Sequence, residues 1–501
     1  QFMSPGTNKR TDQYGGSVEN RLRFLREVIG AIRDRIGDRM VLGVRMVCDE
    51  DWQRGLVKDD GVAMARLLKD DGQIDFLSVI RGRAATDEAL SKVIPSMGSR
   101  SAPHLEFAGE LRQEVKFPTF HAARIQDVPT ARYAIEAGKL DMVAMTRAHI
   151  ADPHITRKIM AGQEDRIRPC VGMGYCIDSI YGGQAACVHN PATGRESVLP
   201  HDVPKAAARK KVVVVGAGPG GLEAARVAAE RGHDVVVFEA ASKAGGQIQL
   251  IAALKRRREI LGIVDWRVSE CERLGVRFHF NTWAEASDVL AESPDYVVVA
   301  TGGLPSFDLL SHGQDLATSS WDILSGSVMP GRQVLVIDNN GSHSAMTIAE
   351  YLSERADTLE FVTSDRILAP EIGSTSYPGY LRVLHKAEAT MTMNLRIHRL
   401  ETRGNKIAAI FTDEFAGVER VKEADQVVVD YGTAPLDDLY FALKEGSVNR
   451  GEVDIAALLK TRPQTLKVQD GSYRLFRIGD AVASRNIHAA ILDAYRLMIA
   501  A

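Results

Sequence analysis

The chain has 501 residues, of which 45% are hydrophobic and 25% charged, and its formal net charge is −3. This length exceeds one ordinary core and predicts two to four domains of a soluble globular protein. The small net charge gives no reason to expect nucleic acid or an anionic membrane as partner, and the longest apolar runs are of strand length, so no membrane span is predicted.

The opening segment QFMSPGTNKRTDQYGGSVENRLRF lacks an initiator methionine and begins inside a predicted loop. We therefore expect the chain to be a piece of a longer protein, or its early part to be missing.

Residues 17–161 alternate between helical and strand patterns. Apolar residues at helical spacing behind Ser17 predict a first helix. Strands are predicted at 40–47, 75–82, 118–125 and 141–147, with helices at 61–72, 128–138 and 153–162. Strand followed by helix about four times indicates parallel βα units. Four units make half of a (β/α)8 barrel or part of an open sheet, and periodicity alone does not choose between them.

Three of the five cysteines then occur within eighteen residues, at Cys170, Cys176 and Cys187. Met173 lies halfway between the first two, and His189 lies two residues after the last. Such clustering does not make a disulfide framework and indicates a reducing, cytoplasmic compartment with a metal or cluster site. The next segment, 191–211, is rich in proline, alanine and lysine and predicts a linker.

A new domain begins at Lys211 with a four-valine strand, a glycine-rich turn and an alanine-rich helix. Gly216, Gly218 and Gly221 form G-x-G-x-x-G, and Glu239 ends the next strand. The glycines let the backbone approach a pyrophosphate at the helix N-terminus, while the glutamate accepts hydrogen bonds from ribose hydroxyls. We therefore predict that an adenine dinucleotide, or its ADP portion, binds here.

A second unit of the same shape begins near residue 332, but its turn is altered. Residues 338–344 read DNNGSHS, so only Gly341 remains of the expected glycines, and Asp338 adds a negative charge beside the expected phosphates. Side chains at the lost glycine positions obstruct a pyrophosphate. The sequence favours a nucleotide-binding fold retained without NAD.

Segments 244–248 (AGGQI), 297–303 (VVVATGG) and 477–483 (RIGDAVA) resemble the FAD domain of the flavin disulfide reductases. The resemblance implies FAD rather than NAD at the first turn, with an aspartate on the ribityl hydroxyls. The residues matched to the flavin site are Gly246, Gln247, Thr301, Gly302 and Asp480.

The opening segment and the segments VLGVRM, FHAARI and VAMTRAHIADP resemble the Old Yellow Enzyme family of FMN proteins. The resemblance implies that Arg45 stabilises negative charge on reduced flavin. It also implies an FMN phosphate held by backbone amides of Ala122, Ala123, Arg124, Thr146 and Arg147. Ala123 and Thr146 stand where the family usually has glycine, which would tighten that pocket. For Arg124 and Arg147 the alternative is a surface salt bridge.

The order of these segments resembles the branch that contains trimethylamine dehydrogenase, dimethylamine dehydrogenase and 2,4-dienoyl-CoA reductase. The cysteine segment is most similar to the N-methyl amino acid demethylases acting on N-methylproline, stachydrine or dimethylglycine. The implied fold is α/β: the C-terminal half of an FMN-binding (β/α)8 barrel, then FAD-type and nested NAD-like Rossmann domains. The predicted domains are 1–165 (half barrel), 166–209 (cysteine segment and linker), 210–331 with 430–501 (FAD or ADP domain), and 332–429 (degenerate nested domain).

The branch usually binds a 4Fe-4S cluster through four cysteines, and here Met173 occupies the second ligand position. A thioether is a poor ligand for such a cluster. Three outcomes stay open for Cys170, Cys176, Cys187 and His189: a cluster with a replaced fourth ligand, a zinc site of Cys3His type, or no metal. Cys48 and Cys271 are expected to be buried packing residues.

The resemblance implies oxidative N-demethylation of a small N-methylated amine or amino acid. FMN takes the hydride, formaldehyde is released, and electrons pass to an electron-transfer protein. The family's catalytic Tyr/His pair falls upstream of Gln1, so the candidate catalytic residues present are Arg45 and Tyr14, although Tyr14 has the alternative role of holding its loop.

Two other functions stay open: an NADPH-dependent 2,4-dienoyl-CoA or enoate reductase, and a non-catalytic subunit that holds nucleotides. The expected partners are the missing N-terminal half of the barrel, the redox protein and further copies in an oligomer.

Overall fold

Parallel strands flanked by helices make up both parts of the chain. The computed structural model describes residues 1–501 and divides them into two units, residues 1–172 and residues 173–501. None of the helices combines the length and apolar character that crossing a membrane requires.

The first unit holds one sheet of four parallel strands, adjacent in chain order. Its strands are β1 (Gly43–Asp49), β2 (Phe76–Arg81), β3 (Thr119–His121) and β4 (Met142–Val143). Its helices are α1 (Val18–Ile36), α2 (Lys58–Asp70), α3 (Asp87–Val93), α4 (Leu105–Val115), α5 (Val128–Glu136), α6 (Thr146–Ala151) and α7 (Ile155–Met160). Strand and helix alternate as the sequence predicts, although β4 is only two residues long because α6 begins shortly after it.

Helices bury one face of this sheet. Val44, Met46 and Cys48 alternate along β1 with less buried residues and belong to the same core cluster as Leu77 and Val79 of β2. This alternation follows from the two-residue period of a strand. The opposite face of the sheet is not covered by these helices, and we call it the ligand-facing side.

The second unit contains the remaining elements. Its helices are α8 (Tyr175–Tyr181), α9 (Pro219–Arg231), α10 (Gln247–Ile251), α11 (Gly262–Arg273), α12 (Ala286–Ala291), α13 (Ser320–Ser325), α14 (His343–Ser353), α15 (Tyr377–Lys386), α16 (Asp438–Lys444), α17 (Ile455–Leu459) and α18 (Ile487–Met498). Its strands are β5 (Lys211–Val215), β6 (Asp234–Phe238), β7 (Arg277–His279), β8 (Tyr296–Val299), β9 (Gly303–Pro305), β10 (Ala317–Ser319), β11 (Gln333–Asp338), β12 (Thr358–Thr363), β13 (Thr390–Thr392), β14 (Leu395–Arg403), β15 (Lys406–Asp413), β16 (Val418–Ala424), β17 (Gln426–Asp430), β18 (Thr433–Pro435) and β19 (Arg474–Arg477).

Two parallel five-stranded sheets organise this unit. The first has the order β19-β8-β5-β6-β7, and the second has the order β10-β17-β11-β12-β13. A three-stranded antiparallel sheet, β14-β15-β16, accompanies the second, and β9 pairs with β18. The nested sheet also includes β10, which precedes residue 332, because Ala317–Ser319 pairs in parallel with β17. The valines of β5 are buried from Val212 onward, as expected for a central parallel strand.

Candidate flavin sites

The ligand-facing side of the first sheet carries Arg45. The strand register places Arg45 of β1 beside Ser78 of β2, and Ser78 beside Phe120 of β3. Arg45 is exposed on this face, and the rings of Phe76 and Phe120 stack with centroids 4.3 Å apart. A cationic side chain therefore stands on an exposed surface that also carries aromatic rings.

The segment after β3 has a backbone suited to an anion. Ala123 and Arg124 are successive residues in the left-handed region, with φ of 85° and 59°. Neither is glycine, so this conformation carries a strain cost, and strain of this kind concentrates at ligand sites. Successive residues in turn conformations aim their amides into one concavity. The Arg124 side chain is 5% exposed, and its Nε donates to the Ser99 carbonyl at 3.0 Å.

The start of α6 supplies the other predicted phosphate amides. Thr146 and Arg147 are its first two residues, and the first amides of a helix have no partner within it. The Arg147 guanidinium donates to the Pro95 carbonyl at 2.9 Å. This contact is with a carbonyl oxygen and not with a carboxylate, so the surface salt bridge considered for Arg147 does not form.

Tyr14 does not lie at this site. Its hydroxyl lies 3.2 Å from both carboxylate oxygens of Glu27 in α1, and its carbonyl accepts from the Asn8 side chain at 2.7 Å. These contacts attach the opening loop to a helix. They favour the loop-holding role over the catalytic one.

The glycine turn of the second unit borders a cavity of about 600 Å³. Gly218 is the N-cap residue of α9, and no protein atom lies within 4 Å of the position that a Cβ would occupy there. At Gly221, by contrast, a Cβ would lie 1.9 Å from the Gly216 carbonyl oxygen. Gly218 thus leaves space for a ligand, whereas Gly221 permits close packing of the turn itself.

Glu239 is fixed at the end of β6 by backbone amides. Its two carboxylate oxygens accept from Ala217 at 2.6 Å and from Ala241 at 2.8 Å, and its side chain lines the cavity. The carboxylate therefore lies in the wall of the cavity that the glycine turn borders.

The predicted flavin residues meet around Asp480. Gln247 donates to the Asp480 carboxylate at 2.9 Å, although 233 residues separate them, and Thr433 donates to the same oxygen at 3.2 Å. Gly246 and Gly302 both have positive φ, as glycine permits. All of the predicted FAD residues of this unit except Gly221 line the cavity: Gly216, Gly218, Glu239, Gly246, Gln247, Thr301, Gly302 and Asp480.

Residues of this cavity that sequence reasoning missed include Trp321, Arg485 and Asn486. Asn486 is the N-cap of α18, accepting from Ala489 at 2.9 Å, so the helix starts at the cavity wall. An asparagine directly before an apolar helical run is a recognisable start signal. Trp321 lies in the nested domain and no local pattern marks it.

In the altered turn of the nested domain, the carboxylate of Asp338 accepts hydrogen bonds from amides of the turn itself. Asp338 ends β11, and its Oδ1 accepts from the amides of Asn340 at 2.8 Å and Gly341 at 2.9 Å. Asp430 of β17 pairs with Asp338 in the strand register, and its carboxylate accepts from Ser320 at 3.0 Å. A cavity of about 410 Å³ lies here, walled in part by Asn340 and Asp430. Turn amides that would receive a pyrophosphate are already occupied.

Burial raises the pKa of the Asp338 carboxyl to about 7. Below about pH 4 both folded and unfolded chains hold this proton, so no free energy is lost. As pH rises from about 4 to 7 only the unfolded chain ionises, and the native state loses on the order of 4 kcal/mol of stability. Asp338→Asn should therefore raise the melting temperature at pH 8 but not at pH 4. An equal effect at both pH values would contradict this.

A metal site is not shown at the cysteine segment. Cys176 and Cys187 are each 8% exposed, and the His189 ring is buried edge-on against Trp266 with centroids 5.4 Å apart. No group of three or more His, Cys, Asp or Glu side chains is placed to hold a metal ion anywhere in residues 1–501. The cluster and the zinc site predicted at Cys170, Cys176, Cys187 and His189 are therefore not supported. Cys48 and Cys271 are fully buried, as expected of packing residues.

Two family models match the chain in succession. The NADH:flavin oxidoreductase / NADH oxidase family matches residues 1–166, and the pyridine nucleotide-disulphide oxidoreductase family matches residues 210–493. The chain belongs to the flavin oxidoreductases that join these two domains, and it is an FMN/FAD-type enzyme.

Individual relatives specify the branch. The chain is 52% identical over 500 residues to the "Probable N-methylproline demethylase" of Rhizobium meliloti, with 99% of this chain and 74% of that protein covered. It is 44% identical over 512 residues to the "N,N-dimethylglycine/sarcosine dehydrogenase" of Chromohalobacter salexigens, again covering 99% and 74%. A solved structure of 2-naphthoyl-CoA reductase with 2-naphthoyl-CoA matches with a TM-score of 0.84 and 28% identity, covering 99% of this chain and 71% of that one. The branch predicted from the sequence is confirmed.

Proposed function

We propose that this chain catalyses flavin-dependent oxidative N-demethylation of a small N-methylated amine or amino acid, with N-methylproline as the type substrate. The observation that carries the proposal is the exposed Arg45 on the ligand-facing side of a sheet, followed after β3 by two successive residues of positive φ, Ala123 and Arg124. The relatives named for N-methylproline, dimethylglycine and sarcosine support the substrate class.

The four-stranded sheet is, in this proposal, the C-terminal half of an eight-stranded barrel completed by a further segment. Four βα units cannot close such a barrel. Apolar side chains that a second half would cover support this: Phe24, Val28 and Ile32 follow one another at four-residue intervals on α1 and are 44%, 39% and 40% exposed. Met142 of β4 is 52% exposed.

FMN fits this unit through the amides of residues 122–124 and 146–147, which would hold its phosphate. When bound, FMN supplies the acceptor for the hydride that leaves the N-methyl carbon. Arg45 would stabilise the electron density that the flavin gains. The oxidised substrate, an iminium ion, takes up water and separates into formaldehyde and the demethylated amine.

FAD, or ADP alone, fits the second unit. The Gly216–Gly221 turn would hold the pyrophosphate, Glu239 the ribose, and Asp480 with Gln247 the ribityl chain. Two electrons per turnover then leave for an electron-transfer protein. That partner and an oligomeric enzyme belong to the proposal.

The main rival is an enoate or enoyl-CoA reductase, and the similarity to 2-naphthoyl-CoA reductase favours it. That reaction needs a nicotinamide site to load the flavin with electrons. The closed turn at Asp338 argues against such a site. The other rival, a non-catalytic subunit, need not hold FMN, so the flavin content after mild purification separates it from both enzymes.

No step of this mechanism is assigned to the cysteine segment, for which a cluster with a replaced fourth ligand, a zinc site and no metal stay open. Whether the purified protein carries iron, zinc or neither is decided by metal analysis together with a visible spectrum.

Formaldehyde release tests the proposed function. With N-methylproline and an artificial electron acceptor, the enzyme should release one formaldehyde for each demethylated product. Arg45→Gln should slow flavin reduction about 10²- to 10³-fold, because a stabilising charge is lost at the reacting centre. Arg132→Gln is the matched control, since Arg132 pairs with Glu164 at 2.7 Å on the helical side. Absence of formaldehyde would refute the function, whereas an unchanged rate in Arg45→Gln would refute only the role of Arg45.

A further inference from the structure

One arginine near the carboxyl edge of the first sheet carries a charge that no side chain neutralises. Arg83 follows β2 and is half-buried, and its guanidinium carbon lies 4.4 Å from the ring centroid of Trp52, in the loop after β1. It forms no hydrogen bond and no ion pair with any other residue. Stacking on the indole face is its single interaction with another side chain. Stacking leaves the N–H groups at the edge of the guanidinium free to donate hydrogen bonds to a ligand.

Trp52 is a rigid platform for this stack. A Cβ at Gly6 would lie 2.2 Å from the Trp52 ring, and one at Gly55 would lie 2.9 Å from it. The indole therefore packs directly against two glycine backbones, one of them in the opening loop. Because the glycine backbones hold the ring in place, the stacked Arg83 side chain is already restricted. Arg83 therefore loses little further conformational entropy when it binds a ligand.

The carboxylates around Arg83 are already engaged. Asp49 lies 3.1 Å from Arg81, and Asp51 lies 3.5 Å from both Arg81 and Lys92. Glu50 accepts from Ser4 at 2.6 Å and from the Leu56 amide at 2.7 Å. These contacts hold the loops after β1 and β2 together, and none of these carboxylates pairs with Arg83.

The position of these loops matters as much as their charge. In parallel α/β sheets and barrels, ligands bind beyond the carboxyl ends of the strands. Gly82, directly after β2, donates to the Asp49 carbonyl at 2.7 Å, which fixes Arg83 at that edge. The same sheet presents Arg45 on its ligand-facing side.

We propose that Arg83 binds the carboxylate of an N-methyl amino acid substrate while stacked on Trp52. An arginine fork matches a carboxylate with two parallel hydrogen bonds. This inference rests on the proposed function and makes it more specific: the substrate class is N-methyl amino acids, and amines without a carboxylate are poor substrates.

Two substrates that differ only in the carboxylate test this: N-methylproline and N-methylpyrrolidine, followed by anaerobic flavin reduction in the complete holoenzyme. In Arg83→Gln the KM for N-methylproline should rise about 10- to 100-fold, the loss expected for hydrogen bonds between charged groups. The KM for N-methylpyrrolidine should not change. Arg83→Lys should be intermediate, and Arg132→Gln should match the wild type for both substrates.

A change of equal size for both substrates, or for neither, in an Arg83→Gln protein with wild-type flavin content would overturn the assignment. If Arg83→Gln does not fold, inhibition of the wild type decides: proline should inhibit at least about tenfold more strongly than pyrrolidine, and equal inhibition overturns the proposal. Failure of the proposed function is a separate result, in which neither N-methylated compound reduces the wild-type flavin.

Discussion

An N-methylated amino acid should bleach the flavin of the complete enzyme under anaerobic conditions, whereas NADH and NADPH should reduce it slowly or not at all. Stopped-flow absorbance of the oxidised flavin measures both reactions in one preparation. The expected difference comes from the nested turn, where Asp338 accepts from the amides of Asn340 and Gly341.

Those two amides would otherwise donate to a pyrophosphate. Hydrogen bonds to a charged acceptor contribute about 1.5–3 kcal/mol each, so their loss weakens dinucleotide binding by about 10²- to 10⁴-fold. Binding of NAD(P)H should therefore limit any reduction by it.

Fast reduction of the flavin by NADPH, without any response to N-methylated amines, would favour the enoate reductase over the N-demethylase. Asp338→Asn provides a control within the turn, because asparagine still accepts from both amides through its carbonyl oxygen. It should not restore NADPH reduction, although it removes a charge.

Sequence patterns predicted the parts of this molecule that depend on local chemistry. The G-x-G-x-x-G turn, the Ser17 cap, which accepts from Asn20 at 3.3 Å, and the βα alternation are all properties of short segments. The cavity residues predicted by resemblance, such as Gln247 and Asp480, also meet in the structure, because the order of their motifs carries the topology.

Contacts between distant segments were not predictable in the same way. The stack of Arg83 on Trp52 depends on how two loops pack, and neither residue stands out from its neighbours in the sequence. Asp338 was expected to repel phosphate through its charge, but its capture of the turn amides is visible only in the folded geometry. For Tyr14 the sequence left a catalytic and a loop-holding role open, and the contact of its hydroxyl with Glu27 favours the second.

Gly218→Val should remove the adenine nucleotide from the second unit and leave the fold intact. Gly218 has φ −70° and ψ −179°, an extended conformation that valine readily adopts, and its Cβ would meet no protein atom within 4 Å. The added branched side chain instead enters the cavity where the pyrophosphate is expected. Nucleotide released by heat denaturation should fall to nearly nothing, while the melting temperature of the nucleotide-free protein should equal that of wild type stripped of nucleotide.

Gly221→Ala provides the contrast, because its Cβ would lie 1.9 Å from the Gly216 carbonyl oxygen and must displace the turn. It should lower both the nucleotide content and the melting temperature of the stripped protein. Gly30→Ala in α1, where the nearest atom would lie at 3.4 Å, should change neither property appreciably. Wild-type nucleotide content in Gly218→Val would refute the assignment of this turn to FAD or ADP, since a valine cannot share that space with a pyrophosphate.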